Sequence, residues 1–137
     1  MGIRRQARES ALQMLYQIEV SGHQPGEMKK EFWARQEMAD AKLKEFSESL
    51  VDGVLAQKEN IDALISQHAT HWRLSRMPVV DRNLLRLAVF ELKECKDVPL
   101  KVILNEAIEI AKKFGDQESH TFINGVLDKV AKELRKE

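Results

Sequence analysis

At 137 residues with a formal net charge of zero, the chain can bury one core and lacks the overall basic excess of a non-specific nucleic-acid binder. Apolar residues make up 43% and charged residues 32%, the balance of an ordinary globular domain rather than a disordered or membrane-spanning chain. A single cysteine, Cys95, excludes an intramolecular disulfide, and no apolar run approaches the ~20 residues that a membrane span needs.

The same features predict a cytoplasmic location. Gln13 and Gln17 interrupt the N-terminal apolar positions, so the arginine-bearing start does not read as a signal peptide. Charge is unevenly placed. Arg4, Arg5 and Arg8 cluster at the start with only Glu9 to neutralise them, whereas acids outnumber bases between Glu27 and Asp62. A basic tip on a neutral body suits a limited, specific contact with an anion. Three prolines and six glycines leave few turn positions, and long helices follow.

Arg4–Val20 is the first predicted helix, with Ala7, Ala11, Met14, Leu15 and Ile18 on a core stripe. Beside it runs a line of Arg5, Arg8, Leu12 and Tyr16, which puts two guanidinium groups and a phenol along one edge. That edge reads either as a solvated basic end with a boundary tyrosine or as a phosphate-contacting edge with a stacking aromatic. Ser21–Gly26 is a loop. Met28–Met38 predicts a short amphipathic helix with Met28, Phe32 and Trp33 inward, and Asp40–Glu59 a longer one on Leu43, Phe46, Leu50 and Val54. Gly53 inside that pattern costs roughly 1 kcal/mol relative to alanine and marks a close helix approach.

The pattern restarts at Asn60, with Ile61, Leu64, Ile65, His68 and Trp72 on one face. His68 reads as a packed histidine. His68 and His71 are the only metal-like pair, with Cys95 as the sole third soft ligand, so no metal site is expected. Arg73–Pro78 is a basic connector, and Val79–Cys95, apolar around much of its circumference, is the expected central helix, with Asp81 in its first turn. Val98–Asp128 then holds a helix, a corner and a helix. Ile103, Leu104, Ala107, Ile108, Ile110, Ala111 and Phe114 form the first stripe; Gly115-Asp116 interrupts; Ile123, Val126, Leu127, Val130 and Leu134 form the second. Phe122 lies about 100° from Ile123 around the helix, at the edge of that stripe. The fold expected is all-α: seven helices in two small helical subdomains, about 1–75 and 76–137, sharing one core.

Catalytic constellations are missing. There is no Gly-rich phosphate loop and no serine elbow, and the acidic face of Asn105, Glu106, Glu109 and Lys112 reads as solvated or salt-bridged. No enzyme activity and no cofactor are expected.

Four segments, RRQARESALQMLY (4–16), VDRNLLRLAVFEL (80–92), DVPLKVILNEAIEIAKKFG (97–115) and SHTFINGVLDKV (119–130), carry a resemblance to the NusB family of bacterial transcription antitermination factors. Residues 20–75 match only in length and helical character. The resemblance implies an all-helical RNA-binding protein that pairs with NusE, a small-subunit ribosomal protein. Together they would bind single-stranded boxA RNA in ribosomal operon leaders, and join other Nus factors on RNA polymerase to suppress premature termination. By the same resemblance Arg4, Arg5 and Arg8 are phosphate or base contacts, and Phe122 is the stacking residue, against a competing reading in which it packs at a helix boundary. Glu118 tunes selectivity by accepting from a base amino group, Ser119 either contacts RNA or N-caps the last helix, Asp81 serves the RNA or NusE surface, and Tyr16 completes the set. The NusE surface is expected on the fifth and sixth helices. The basic run is lighter than in some family members, so NusE would supply further contacts. Two alternatives stay open: a NusB-like RNA-binding domain of a ribosomal RNA cytosine methyltransferase, and a helical dimerisation module.

Overall fold

A computed structural model describes residues 2–36 and 40–135. Among these residues there are seven α-helices and no strand: α1 (Ile3–Ser21), α2 (Pro25–Ala34), α3 (Ala41–Ala56), α4 (Lys58–His68), α5 (Val79–Glu94), α6 (Leu100–Phe114) and α7 (Ser119–Leu134), with a 3-10 turn at Leu74–Arg76. Helix α5 is the hub, packing against α1, α3, α4, α6 and α7. Its Leu84, Leu85, Leu87, Ala88, Val89 and Leu92 are all buried, as the nearly continuous apolar circumference of the segment requires. One core cluster joins Met14 and Leu15 of α1, Leu50 and Val51 of α3, Ile61 and Ile65 of α4, and Ile103, Ile110, Ile123 and Leu127 of α6 and α7.

The expected boundaries shift where caps intervene. The helix expected over Asp40–Glu59 starts one residue later, because the Asp40 side chain accepts from the Lys42 and Leu43 amides as an N-cap. It ends at Ala56, and α4 begins directly after Gln57. Helix α2 begins at Pro25, where a missing amide costs nothing, and ends at Ala34; Met38 lies outside the described residues. Trp33 is only half-buried, edge-on to Phe32 at 5.0 Å between ring centroids. Trp72 departs further from expectation. Helix α4 stops at His68, so Trp72 sits in the following turn and is 56% exposed instead of extending the core stripe.

A buried hub must have its polar groups satisfied. Arg86 on α5 donates to Asp62 of α4 at 2.8 Å and to Glu19 of α1 at 2.8 Å. Arg82 pairs with the same Glu19 and also donates to the Met77 carbonyl at 2.9 Å, tying down the connector that precedes α5. At the other end, Arg135 donates to the carbonyl of Leu92 (3.0 Å), which the end of α5 leaves without a helical partner, and to those of Cys95 (2.9 Å) and Val98 (2.8 Å) in the connector that follows. Partial burial works against the charge on Glu19, but hydrogen bonds from Arg82 and Arg86 outweigh it and hold its pKa at about 2, against an ordinary 4.5.

Gly53 makes the close approach expected of it. A Cβ there would stand 2.1 Å from Cζ of Phe90 on α5, so α3 and α5 meet at this glycine.

Gly53→Ala should lower stability by ~1–3 kcal/mol in denaturant unfolding, because the Phe90 ring must leave its place, and that overpacking outweighs the ~1 kcal/mol gain in helix propensity. An unchanged or raised midpoint would show that the ring yields freely. Glu19 has a folded pKa below its ordinary value, so its contribution is full above pH 4.5 and fades as pH falls toward 2. Glu19→Gln should therefore lower neutral-pH stability and flatten the loss of stability across that acid range, read by thermal melts against pH.

Candidate nucleic-acid interface

Arg4, Arg5 and Arg8 stand on the first turns of α1 and line a depression of about 510 Å³ together with Asp97, Pro99, Val102 and Glu106. Tertiary contacts divide the three. Arg4 is exposed and lies over the Phe46 ring, 4.7 Å from its centroid, in a cation–π contact. Arg5 is half-buried and donates to Glu106 at 2.7 Å. Arg8 is only 4% exposed and is gripped by two carboxylates: it donates to Glu91 at 2.8 Å and 2.9 Å, and to Glu106 at 3.2 Å.

The expectation that Arg8 contacts phosphate therefore needs correction. Its guanidinium points at α5 and not at solvent, because the line Arg8–Leu12 belongs to the buried sector of α1, where Leu12 is buried too. Burial disfavours the charge on Arg8, but the hydrogen bonds and charges of Glu91 and Glu106 outweigh it and raise its pKa above the ordinary value. The Arg5 hydrogen bond, opposed by partial burial, holds the Glu106 carboxyl below the usual range. The acidic face of α6 is thus salt-bridged, with Glu109 on Lys112 at 3.3 Å as a further pair.

At the opposite end of α6 the chain turns at Gly115. A Cβ on this residue would stand 2.6 Å from the Ser119 side chain and 2.9 Å from the Ala111 carbonyl, so the corner can be this tight only with glycine. Ser119 does not N-cap α7. It is the first residue of that helix, and Glu118, at the cap position, makes no side-chain cap. Instead the buried Ser119 hydroxyl donates to Asp81 Oδ1 at 2.7 Å and accepts the Asp116 amide at 3.1 Å, which fastens the corner to the first turn of α5. Burial, with Asp116 nearby, pushes the Asp81 carboxyl up, while the Ser119 hydrogen bond partly opposes this.

Phe122, one turn into α7, is half-buried and meets Trp72 edge to face, with centroids 6.1 Å apart and planes at 73°. Asp81, Glu118, Ser119 and Phe122 share one groove of about 810 Å³, to which Trp72 and Arg76 also contribute. Tyr16, 40% exposed, lies between the two ends, beside Leu12, Gln17, Val80 and Phe114. Long side chains link α1 to α6: Arg5 and Arg8 reach Glu106, Glu9 accepts from Lys113 (2.8 Å), and Tyr16 lies near Phe114. The arginine end and the corner are therefore separate places, roughly 12 Å apart along α6 at 1.5 Å per residue, joined by the α1 flank.

The spacing of Trp72 matches the α4 stripe, but α4 ends at His68, which sets Trp72 at the corner and out of the core; nothing in the sequence signals that end. On the fifth helix only Glu94 is exposed, whereas α6 exposes Lys101, Val102, Asn105 and Glu109 among others, so most exposed side chains of the expected NusE surface lie on α6. Among the described residues no cluster of His, Cys, Asp and Glu could hold a metal; His68 faces Glu133 at 3.0 Å. No described helix is long and apolar enough to cross a membrane.

The family model of NusB matches residues 5–132, nearly the whole chain. The chain belongs to the NusB family. It is 46% identical to the transcription antitermination protein NusB of Myxococcus xanthus, over 99% of both chains. The fold is that of NusB from T. maritima (40% identity, TM-score 0.87, covering 95% of this chain and 91% of that one). It also superposes on a chain from a crystal structure of antitermination factors NusB and NusE in complex with double-stranded RNA (31% identity, TM-score 0.87, covering 96% and 97%).

Arg8→Ala should cost about 3–5 kcal/mol of stability, because it strands buried Glu91 without its cation, while Arg4→Ala should leave the melting temperature nearly unchanged. Equal, small effects in thermal melts would return Arg8 to the solvent-facing edge.

Proposed function

We propose that this NusB-family chain is a transcription antitermination factor. It binds boxA-type single-stranded leader RNA of ribosomal operons together with NusE, and joins other Nus factors on RNA polymerase to suppress premature termination. It acts by binding and not by catalysis, in the cytoplasm. The observation that carries this reading is the corner itself: a half-buried phenylalanine, Phe122, in a groove with the carboxylate acceptors Asp81, Asp116 and Glu118. Single-stranded RNA is recognised by this combination, with cations on phosphates, aromatics under splayed bases and acceptors for base amino groups.

The roles follow from exposure. Arg4 and Arg5 meet the backbone, the latter while still braced by Glu106. Tyr16 and Phe122 offer aromatic surface, and Glu118, exposed in the corner, accepts from a base amino group. Asp81 and Ser119 hold the corner in shape through their hydrogen bond. Arg8 anchors the start of α1 to α5, so that Arg4 and Arg5 are presented. NusE is met on the solvent face of α6. Likeness to a NusB seen with NusE and RNA supports these partners, and the 46% identity to a curated antitermination protein supports the process.

The purified chain should bind a boxA RNA more tightly than a scrambled RNA of equal length, with the difference widened by NusE, in fluorescence anisotropy titrations at fixed salt. Equal affinity for both RNAs, with and without NusE, would overturn the reading.

A further inference from the structure

Trp72 is the most unusual exposed side chain of the molecule. A tryptophan 56% exposed in a turn leaves much apolar area in water, yet its backbone is fixed: its amide donates to the carbonyl of buried Ala69 at 3.2 Å. The indole meets Phe122 at 73°, so the pair forms a ridge with two nearly perpendicular faces.

Different charges flank this ridge. On one side is the corner groove, where Asp81, Asp116 and Glu118 outnumber the single cation Arg76. On the other side is a smaller groove of about 250 Å³, to which Thr70, His71, Thr121 and Lys129 contribute and which no carboxylate lines. Both grooves share Trp72 and Phe122 as their common wall. A polyanion crossing here is repelled on the acidic side and accepted on the Lys129 side. Base edges, which carry amino donors, fit the acceptors of the acidic side.

We propose that the Trp72–Phe122 ridge holds two successive unstacked bases of single-stranded RNA, with their base edges in the acidic corner groove and the linking phosphate over Lys129. This rests on the RNA-binding reading above and extends it by naming a second stacking residue and a path beyond Phe122. Faces at 73° cannot support a continuous stack, so the two bases turn relative to one another at this step. The sequence tolerance of stacking combined with acceptors on one side favours bases that carry amino groups, adenine, cytosine and guanine, over uracil.

The test uses the full chain, with and without NusE, and boxA RNA as the probe. Trp72→Ala should weaken RNA binding about 5- to 100-fold, as loss of one stacked base does, with Trp72→Phe recovering part of it and Phe122→Ala as the comparison. Lys129→Gln should reduce the slope of log affinity against log salt by about 0.7, the value for one phosphate of a single strand. In a Trp33→Phe background, Trp72 is the remaining tryptophan, and its fluorescence should be quenched when RNA binds. Unaltered affinity in Trp72→Ala and unquenched fluorescence, with boxA binding intact and Phe122→Ala impaired, would overturn the ridge and leave the functional reading standing. A loss in Trp72→Ala seen only with NusE present would assign the ridge to protein contact and also overturn it. Failure of the unaltered chain to select boxA RNA would overturn the functional reading itself. Thermal melts of each variant check that the fold is kept before its RNA binding is compared.

Discussion

A helix enclosed on every side cannot keep a charge unless a counter-charge is enclosed with it, and helix α5 carries Arg86 and Glu91 into the centre of this molecule. Their partners come from the helices packed around α5: Glu91 holds Arg8 of α1, and Arg86 holds Asp62 of α4 and Glu19 of α1. Apolar packing alone would allow α1 and α4 to slide or rotate against α5. Directional, charge-assisted hydrogen bonds select one register. Everything on the working flank inherits that register, because Arg4 and Arg5 lie within one turn of Arg8 and Tyr16 lies two turns beyond it on the same helix.

The same constraint explains why three neighbouring arginines have three fates. Along α1, Arg4, Arg5 and Arg8 have the same chemistry and differ in position: Arg4 and Arg8, four residues apart, share a face, but Arg4 stands in the first turn of the helix and Arg8 a turn further in. Arg8 points at α5 and is consumed by Glu91 and Glu106, Arg5 lies at the rim and shares Glu106, and Arg4 is exposed over Phe46. A buried ion pair adds little net stability compared with an apolar pair of like size, so its value here is positional. It fixes where the exposed part of the basic end is held.

The corner between α6 and α7 is built on the same logic with weaker groups. Gly115 permits the close approach, and the Ser119 hydroxyl joins Asp81 to the loop. Phe122, packed against the edge of the core, then lines the groove with its remaining surface. Carboxylates concentrate on one side of the aromatic ridge and are absent from the lining of the other, so the flank has a polarity that a neutral overall charge conceals.

Much of this was legible in the sequence. Seven helices, the central place of residues 79–95, the close approach at Gly53 and the sharp break at Gly115 all follow from hydrophobic period and glycine placement, because local sterics and the need to bury an apolar stripe act within one or two turns. The off-centre position of Phe122 was legible for the same reason. What only the tertiary structure decided were the partners of polar and boundary side chains. Nothing near Arg8 in sequence announces Glu91, 83 residues away, and nothing near Trp72 announces Phe122. Period places a side chain on a face, but whether that face meets water, a counter-ion or another ring depends on which helices arrive there, and that is settled only when the whole chain packs.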